Sequence, residues 1–210
     1  MKIRNILSYI LFAAACAQPA AAKVDLEKYH DEIFNLSVDD NLQSPDVPGK
    51  QMAQAQSTMS ALKARMEHAG LKTDLTEREG LVLMVTIPAA DLFLPNDTLL
   101  ASFAQTKLKH LLHPLRTPDH YKLLVVAHSD DTGTDDYLYN LTRARADAIR
   151  EWIADQQIPV DGVVPYGLGY DEPVSHESSR KGRAANRRIE FYFVPGPLLI
   201  EELKAKRQTR

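Results

Sequence analysis

Residues 123–145 read LLVVAHSDDTGTDDYLYNLTRAR, and the fold turns on how this stretch divides. Leu123, Leu124, Val125 and Val126 form a continuous apolar run, the pattern of a strand buried on both faces. At His128-Ser129-Asp130-Asp131-Thr132-Gly133 the run gives way to small, polar, turn-forming residues. The spacing then predicts a helix to about Gln157, with Leu138, Leu141, Ala148, Ile149 and Trp152 on one apolar stripe. Arg145 falls in the middle of that stripe. A guanidinium facing the core needs a partner, because burying an unpaired charge is costly. Asp130, at the carboxyl end of the strand, is the nearest candidate. Ligands tend to sit at the carboxyl ends of strands in open sheets. An Asp and an Arg facing one crevice suit a zwitterion, the Asp accepting an ammonium and the Arg forking a carboxylate. The same two residues equally fit a structural salt bridge between strand and helix, and the pair alone leaves both readings open.

Working outward, Leu71 to Thr76 and Leu81 to Ile87 read as a strand pair joined through Glu77-Arg78-Glu79-Gly80. Phe93 to Thr98 leads into a helix with Asn96 or Asp97 as its cap and Leu99, Leu100, Phe103, Leu108 and Leu111 on its apolar face. Val163 to Gly169 is a further strand. Residues 171–181 form a polar loop, and Arg187 to Val194 alternates, which predicts a last, antiparallel strand at or near a sheet edge. The expected fold class is therefore α/β (α+β), a mixed sheet built from β-α-β-α-β units with helices packed on one side.

Three segments of this core carry a resemblance. AHSDDTGTDDYLYNLTRARA (127–146), YGLGYDEPV (166–174) and GRAANRRIE (182–190) occur in that order, and together they resemble the OmpA-like C-terminal domain. That family includes the peptidoglycan-associated lipoproteins and the periplasmic part of outer membrane protein A. The resemblance implies non-covalent binding of the diaminopimelate residue of peptidoglycan stem peptides. It assigns the ligand's amino group to Asp130 and its carboxylate to Arg145, with Leu141 and Ser129 as candidate pocket lining. Ala127 and Ser129 depart mildly from the family's usual Gly and Thr. Leu138 stands where the family usually has Asn, which removes an amide from the expected pocket. An envelope protein-protein docking module on the same scaffold is the alternative reading.

Residues 1–22 read as an export signal: Lys2 and Arg4 precede an apolar stretch from Ile6 to Ala15, and Ala20-Ala21-Ala22 offers a cleavage site. Cys16, the only cysteine, closes that stretch and also fits a lipoprotein signal (residues 1–15) with lipidation at Cys16. Both readings stand, and both export the chain to the periplasm. Lipidation at Cys16 would tie it to the outer membrane, whereas cleavage after Ala22 would leave it associated with the wall, with any membrane link supplied by a partner. Residues 23–69 are expected to be a linker or loosely docked arm followed by a helix, in which Met52, Ala55, Met59, Leu62, Met66 and Ala69 repeat at heptad-like spacing. Packing on the chain's own domain is the expectation for that helix, with self-association as the alternative. The domain itself is expected over 70–196, followed by a short amphipathic tail helix over 197–210.

Composition is that of an ordinary globular protein, 44% hydrophobic and 25% charged, with a formal charge of −3 that points away from nucleic acid. The seven histidines lack metal-ligand spacing, and the acidic residues at 130–136 lack the order of a calcium loop. No G-x-S-x-G is present. The sequence thus predicts a binding protein without enzymatic activity or cofactor. Its expected partners are peptidoglycan and other outer-membrane proteins. Arg183, Arg187 and Arg188 read as loop-bracing and surface charges, with attraction of an acidic peptide as a secondary role.

Overall fold

The apolar run of the opening stretch is the interior of β3 (Tyr121–Ala127), in a computed structural model that describes residues 24–208. The export segment and Cys16 lie outside the described residues. Four further strands complete one sheet: β1 (Lys72–Thr76), β2 (Val82–Pro88), β4 (Val163–Gly167) and β5 (Arg188–Pro195), in the order β1-β2-β5-β3-β4. Only β3 and β4 run parallel, joined by the long α6 (Asp135–Asp155); the other pairs are antiparallel.

β5 is the central strand of the five, not a strand at or near an edge as its alternation suggested. Its apolar set, Ile189, Phe191 and Phe193, is fully buried under the helices. Its polar set, Arg188 and Glu190, is also buried, at 6% exposure each, because these side chains satisfy one another and His128. Alternation normally marks a half-solvated strand. Here the hydrogen-bonded ionic set takes the place of water.

On one face of the sheet, α3 (Met52–His68) and α6 cover a single large core. Ala55, Met59, Leu62 and Met66 of the heptad-like stripe are all buried in the chain's own domain. The helix expected after Thr98 is broken instead. A bridge pairs Phe93 with Leu100, and the chain then makes short turns, including α4 (Gln105–Leu108) and α5 (Leu112–Leu115), leaving Leu99 72% exposed.

The opposite face is covered too. Residues 23–50, expected as a linker or loosely docked arm, contain α1 (Leu26–Asn35) and α2 (Val38–Gln43), each capped by a side chain, Asp25 and Ser37. Ile33 and Leu42 pack on Val82, Leu124, Val126, Val164 and Val194. Lys122, 1% exposed, anchors this arm: its Nζ donates to Asn41 Oδ1 (2.8 Å), Ser44 O (2.7 Å) and Ser44 Oγ (3.0 Å). Farther on, α7 (Arg180–Asn186) begins within the expected polar loop, and α8 (Pro197–Gln208) docks through Leu199, Ile200 and Leu203 on Leu81 and Ala55.

Candidate functional site

The polar segment that ends β3 is a built turn. Asp130 Oδ1 accepts from Thr132 N (3.0 Å) and from the Thr132 hydroxyl, and Ser129 N donates to Gly169 O (2.6 Å). Gly169 is held in place by the Thr142 hydroxyl of α6 (3.0 Å) at φ +52°, and a side chain there would press on Tyr139 N at 3.3 Å. Strand, helix and the loop after β4 therefore fix Asp130 from three sides. Thr134 then caps α6, accepting from Tyr137 N (3.4 Å), and Asp135 and Asp136 stand in the first turn, where the helix dipole favours acids.

Asp130 and Arg145 face one cavity of about 370 Å³, with Ser129 and Leu141 in its wall. The loop at 93–96 closes the opposite side with Phe93, Leu94 and Pro95, and Tyr137 and Phe103 stand at 44% exposure beside it. All four residues singled out from the sequence are thus brought together. Leu138, where the resembling family has an amide, is buried in the same wall.

The expected ion pair between Asp130 and Arg145 is absent. Arg145 Nε donates to Asp97 O (2.9 Å), and its guanidinium lies 5.0 Å over the Phe93 ring. Burial pushes this guanidinium's pKa down, and the charge of nearby Arg187 does likewise, while Asp97 opposes them. Arg187, expected as a loop-bracing or surface charge with attraction of an acidic peptide as a secondary role, pairs with Asp130 Oδ2 across the cavity wall, and its side chain is 42% exposed. Its neighbour Arg183 grips Asp131 through Nε (2.6 Å) and Nη2 (3.3 Å). Both arginines lie in the GRAANRRIE segment, so a signal existed, but the residues they hold are more than 50 positions away. Burial pushes the Asp130 carboxyl up. Hydrogen bonds from Thr132 and Arg187 outweigh that, so its pKa lies below the usual carboxylate range. The site therefore holds a charged acid and a guanidinium whose two terminal nitrogens have no protein acceptor among the described residues. Such a set can bind and orient a zwitterion.

Behind the turn lies a second polar cluster. His128 Nε2 and Glu190 Oε2 are 3.0 Å apart, Arg188 Nε donates to Glu190 Oε1 (2.7 Å), and Tyr192 donates its hydroxyl to Glu190 (2.7 Å). This explains His128 as a buried structural residue. Among the described residues no group of acids, histidines or cysteines has metal-binding geometry.

Residues 92–187 match the model of the OmpA family. The YfiB protein of Escherichia coli strain K12 is 30% identical over 101 residues, 48% of this chain and 63% of its own length. A peptidoglycan-associated lipoprotein of Legionella pneumophila is 24% identical over 102 residues, 49% of this chain and 58% of its own length. The chain thus spans less than two thirds of either relative. Among solved structures, a MotB-like protein from Desulfovibrio vulgaris superposes with a TM-score of 0.61 at 19% identity, over 70% of this chain and 97% of that one, a likeness of fold.

Proposed function

From the OmpA-like domain that residues 92–187 form, we propose that this protein binds peptidoglycan without covalent bonds and links the envelope to the cell wall. The ligand element is the diaminopimelate residue of a stem peptide. Asp130 receives its ammonium, Arg145 receives its carboxylate, and Ser129 and Leu141 flank its chain. One observation carries the reading: a buried acid and a buried guanidinium, not paired with each other, face the same cavity. Had they been paired together, a structural salt bridge would explain both. The Legionella relative, a peptidoglycan-associated lipoprotein, points to the same ligand. The docking-module alternative draws on the heptad-like stripe of α3, whose Ala55, Met59, Leu62 and Met66 are buried inside the domain, and on Leu138 in place of the family's Asn.

Retention on purified sacculi tests the proposal with the full chain. Wild type should sediment with the wall, and Asp130→Asn with Arg145→Gln should stay in the supernatant; equal retention would end the proposal. Thermal melts accompany the assay. The Asp130 change should cost only about 1–2 kcal/mol, since Arg187 can turn to water and Asn can still accept from Thr132. The outer-membrane location belongs to the same proposal, with lipidation of Cys16 or a protein partner as the means. Among the described residues, no helix is long and apolar enough to cross a membrane.

A further inference from the structure

The cavity wall contains three groups charged at neutral pH: Asp130, Arg145 and Arg187. Two guanidiniums thus face one carboxylate. The nearby acids do not redress the balance within the wall. Asp97 accepts from Leu99 N (3.0 Å) and is not part of the lining, and Asp131 is taken by Arg183. The Asp130 carboxylate is also fully engaged, Oδ1 by Thr132 and Oδ2 by Arg187. An incoming ammonium can reach it only by taking the place of Arg187. That displacement is physically open, because the Arg187 side chain is 42% exposed while the Asp130 side chain is 3% exposed. No other acceptor for Arg187 is found among the described residues.

A zwitterion alone leaves this site unbalanced. Its ammonium would neutralise Asp130, its carboxylate would neutralise Arg145, and Arg187 would be left beside the ligand without a counter-charge. A second carboxylate on the ligand removes that defect. We infer that Arg187 is an exchangeable counter-ion: it holds Asp130 in the empty site and moves to a second carboxylate of the ligand when an ammonium arrives. This rests on the reading of the cavity proposed above and narrows its ligand class to an amino-acid head group with a second carboxylate in reach. Charge-assisted, forked recognition is the chemistry a guanidinium offers for that task. The device also selects against ligands that lack the second acid, since for them the Asp130–Arg187 pair is broken with no replacement.

Titration calorimetry of the full chain with three amino acids tests the inference: meso-diaminopimelate, 2-aminopimelate and 2-aminoheptanoate. All share the head group and chain length, and only the last lacks a second carboxylate. Wild type should bind the two diacids about tenfold or more tighter than 2-aminoheptanoate, the scale of one charge-assisted hydrogen bond. In Arg187→Gln that preference should vanish, and 2-aminoheptanoate should bind more tightly than to wild type because Asp130 is released. Arg187→Lys, which keeps the charge without the fork, should retain part of the preference, and it serves in place of Arg187→Gln should that variant melt early. An unchanged preference in the Gln variant, or none in wild type, overturns the exchange and leaves only the zwitterion reading of the cavity standing. Failure of wild type to bind any of the three overturns both.

Discussion

At the scale of single residues, Glu190 gives the sharpest expectation. Burial pushes its carboxyl up, but hydrogen bonds from His128, Tyr192 and Arg188 outweigh this and bring its pKa down to about 2. Its ordinary value is 4.5, so the ionised form is favoured by folding. The stabilisation is complete above pH 4.5 and is lost as the pH falls toward 2. Thermal melts should therefore show the wild-type midpoint dropping through that window, with a smaller drop in Glu190→Gln, the remainder coming from other carboxylates held low in the fold, Asp130 among them. At pH 7 the variant should be less stable by about 3–5 kcal/mol, because Arg188, at 6% exposure, loses its counter-charge. The same cluster shows where sequence reading stopped. Arg145 could be singled out because a charge on an apolar stripe is anomalous within its own helix. Arg187 and Arg188 were not anomalous: in a polar, arginine-rich segment they read as surface charges. The burial of Arg188 and the pairing of both depend on Asp130, Glu172 and Glu190, set beside them by sheet order that no local spacing encodes.

Among the elements, the arm formed by α1 and α2 departs most from its sequence. Leu26, Tyr29 and Ile33 do recur at helical spacing behind the cap Asp25, but the run is short, and Ser44-Pro45 with Pro48-Gly49 is the usual composition of a linker. What docks it is a long-range match, between the acceptors of Asn41 and Ser44 and a lysine about 80 residues away on β3. Tyr166 also donates to Leu36 O (2.8 Å), and Arg78 to Pro45 O (2.7 Å). By contrast β3, α6 and the first hairpin were legible, because each is specified by residues adjacent in sequence. Burial, together with the charge of Arg78, brings the Lys122 ammonium down to about 7, from an ordinary 10.5. Between those values the unfolded chain binds a proton that the folded one does not, so stability rises with pH across this window and is flat below it. Hydrogen exchange over residues 26–43, corrected for intrinsic rates, should show arm protection increasing from pH 7 to pH 9.5. In Lys122→Met that increase should be absent.

For the whole molecule, the folded unit is larger than the family segment at 92–187. The sheet is buried between α3 and α6 on one face and the arm on the other, with α8 closing the base. A fragment of residues 70–196 would lose Met59 and Met66 from one core and would bare Leu124, Val126, Val164 and Val194 on the other face. Each such side chain stabilises the fold by about 1.5–3 kcal/mol when buried. The fragment should therefore be insoluble or melt far below the full chain, as thermal melts with light scattering would reveal; equal melting would show the arm and α3 to be dispensable. The placement of Lys122 and Asp130 has a mechanical consequence. The arm is held by Lys122 near the start of β3, with Tyr166 of β4 and Arg78 beside it, and the candidate wall site lies just past the last residue of β3. Under the proposed anchoring, tension between the arm and an occupied cavity would therefore enter this strand near one end and leave at the other. β3 is bonded on both sides, to β5 and to β4. Pulled lengthwise, those ladders are loaded in shear and must yield together, whereas a hairpin pulled apart from its open end unzips bond by bond. The strand that places the acid is thus also the one built to carry the load.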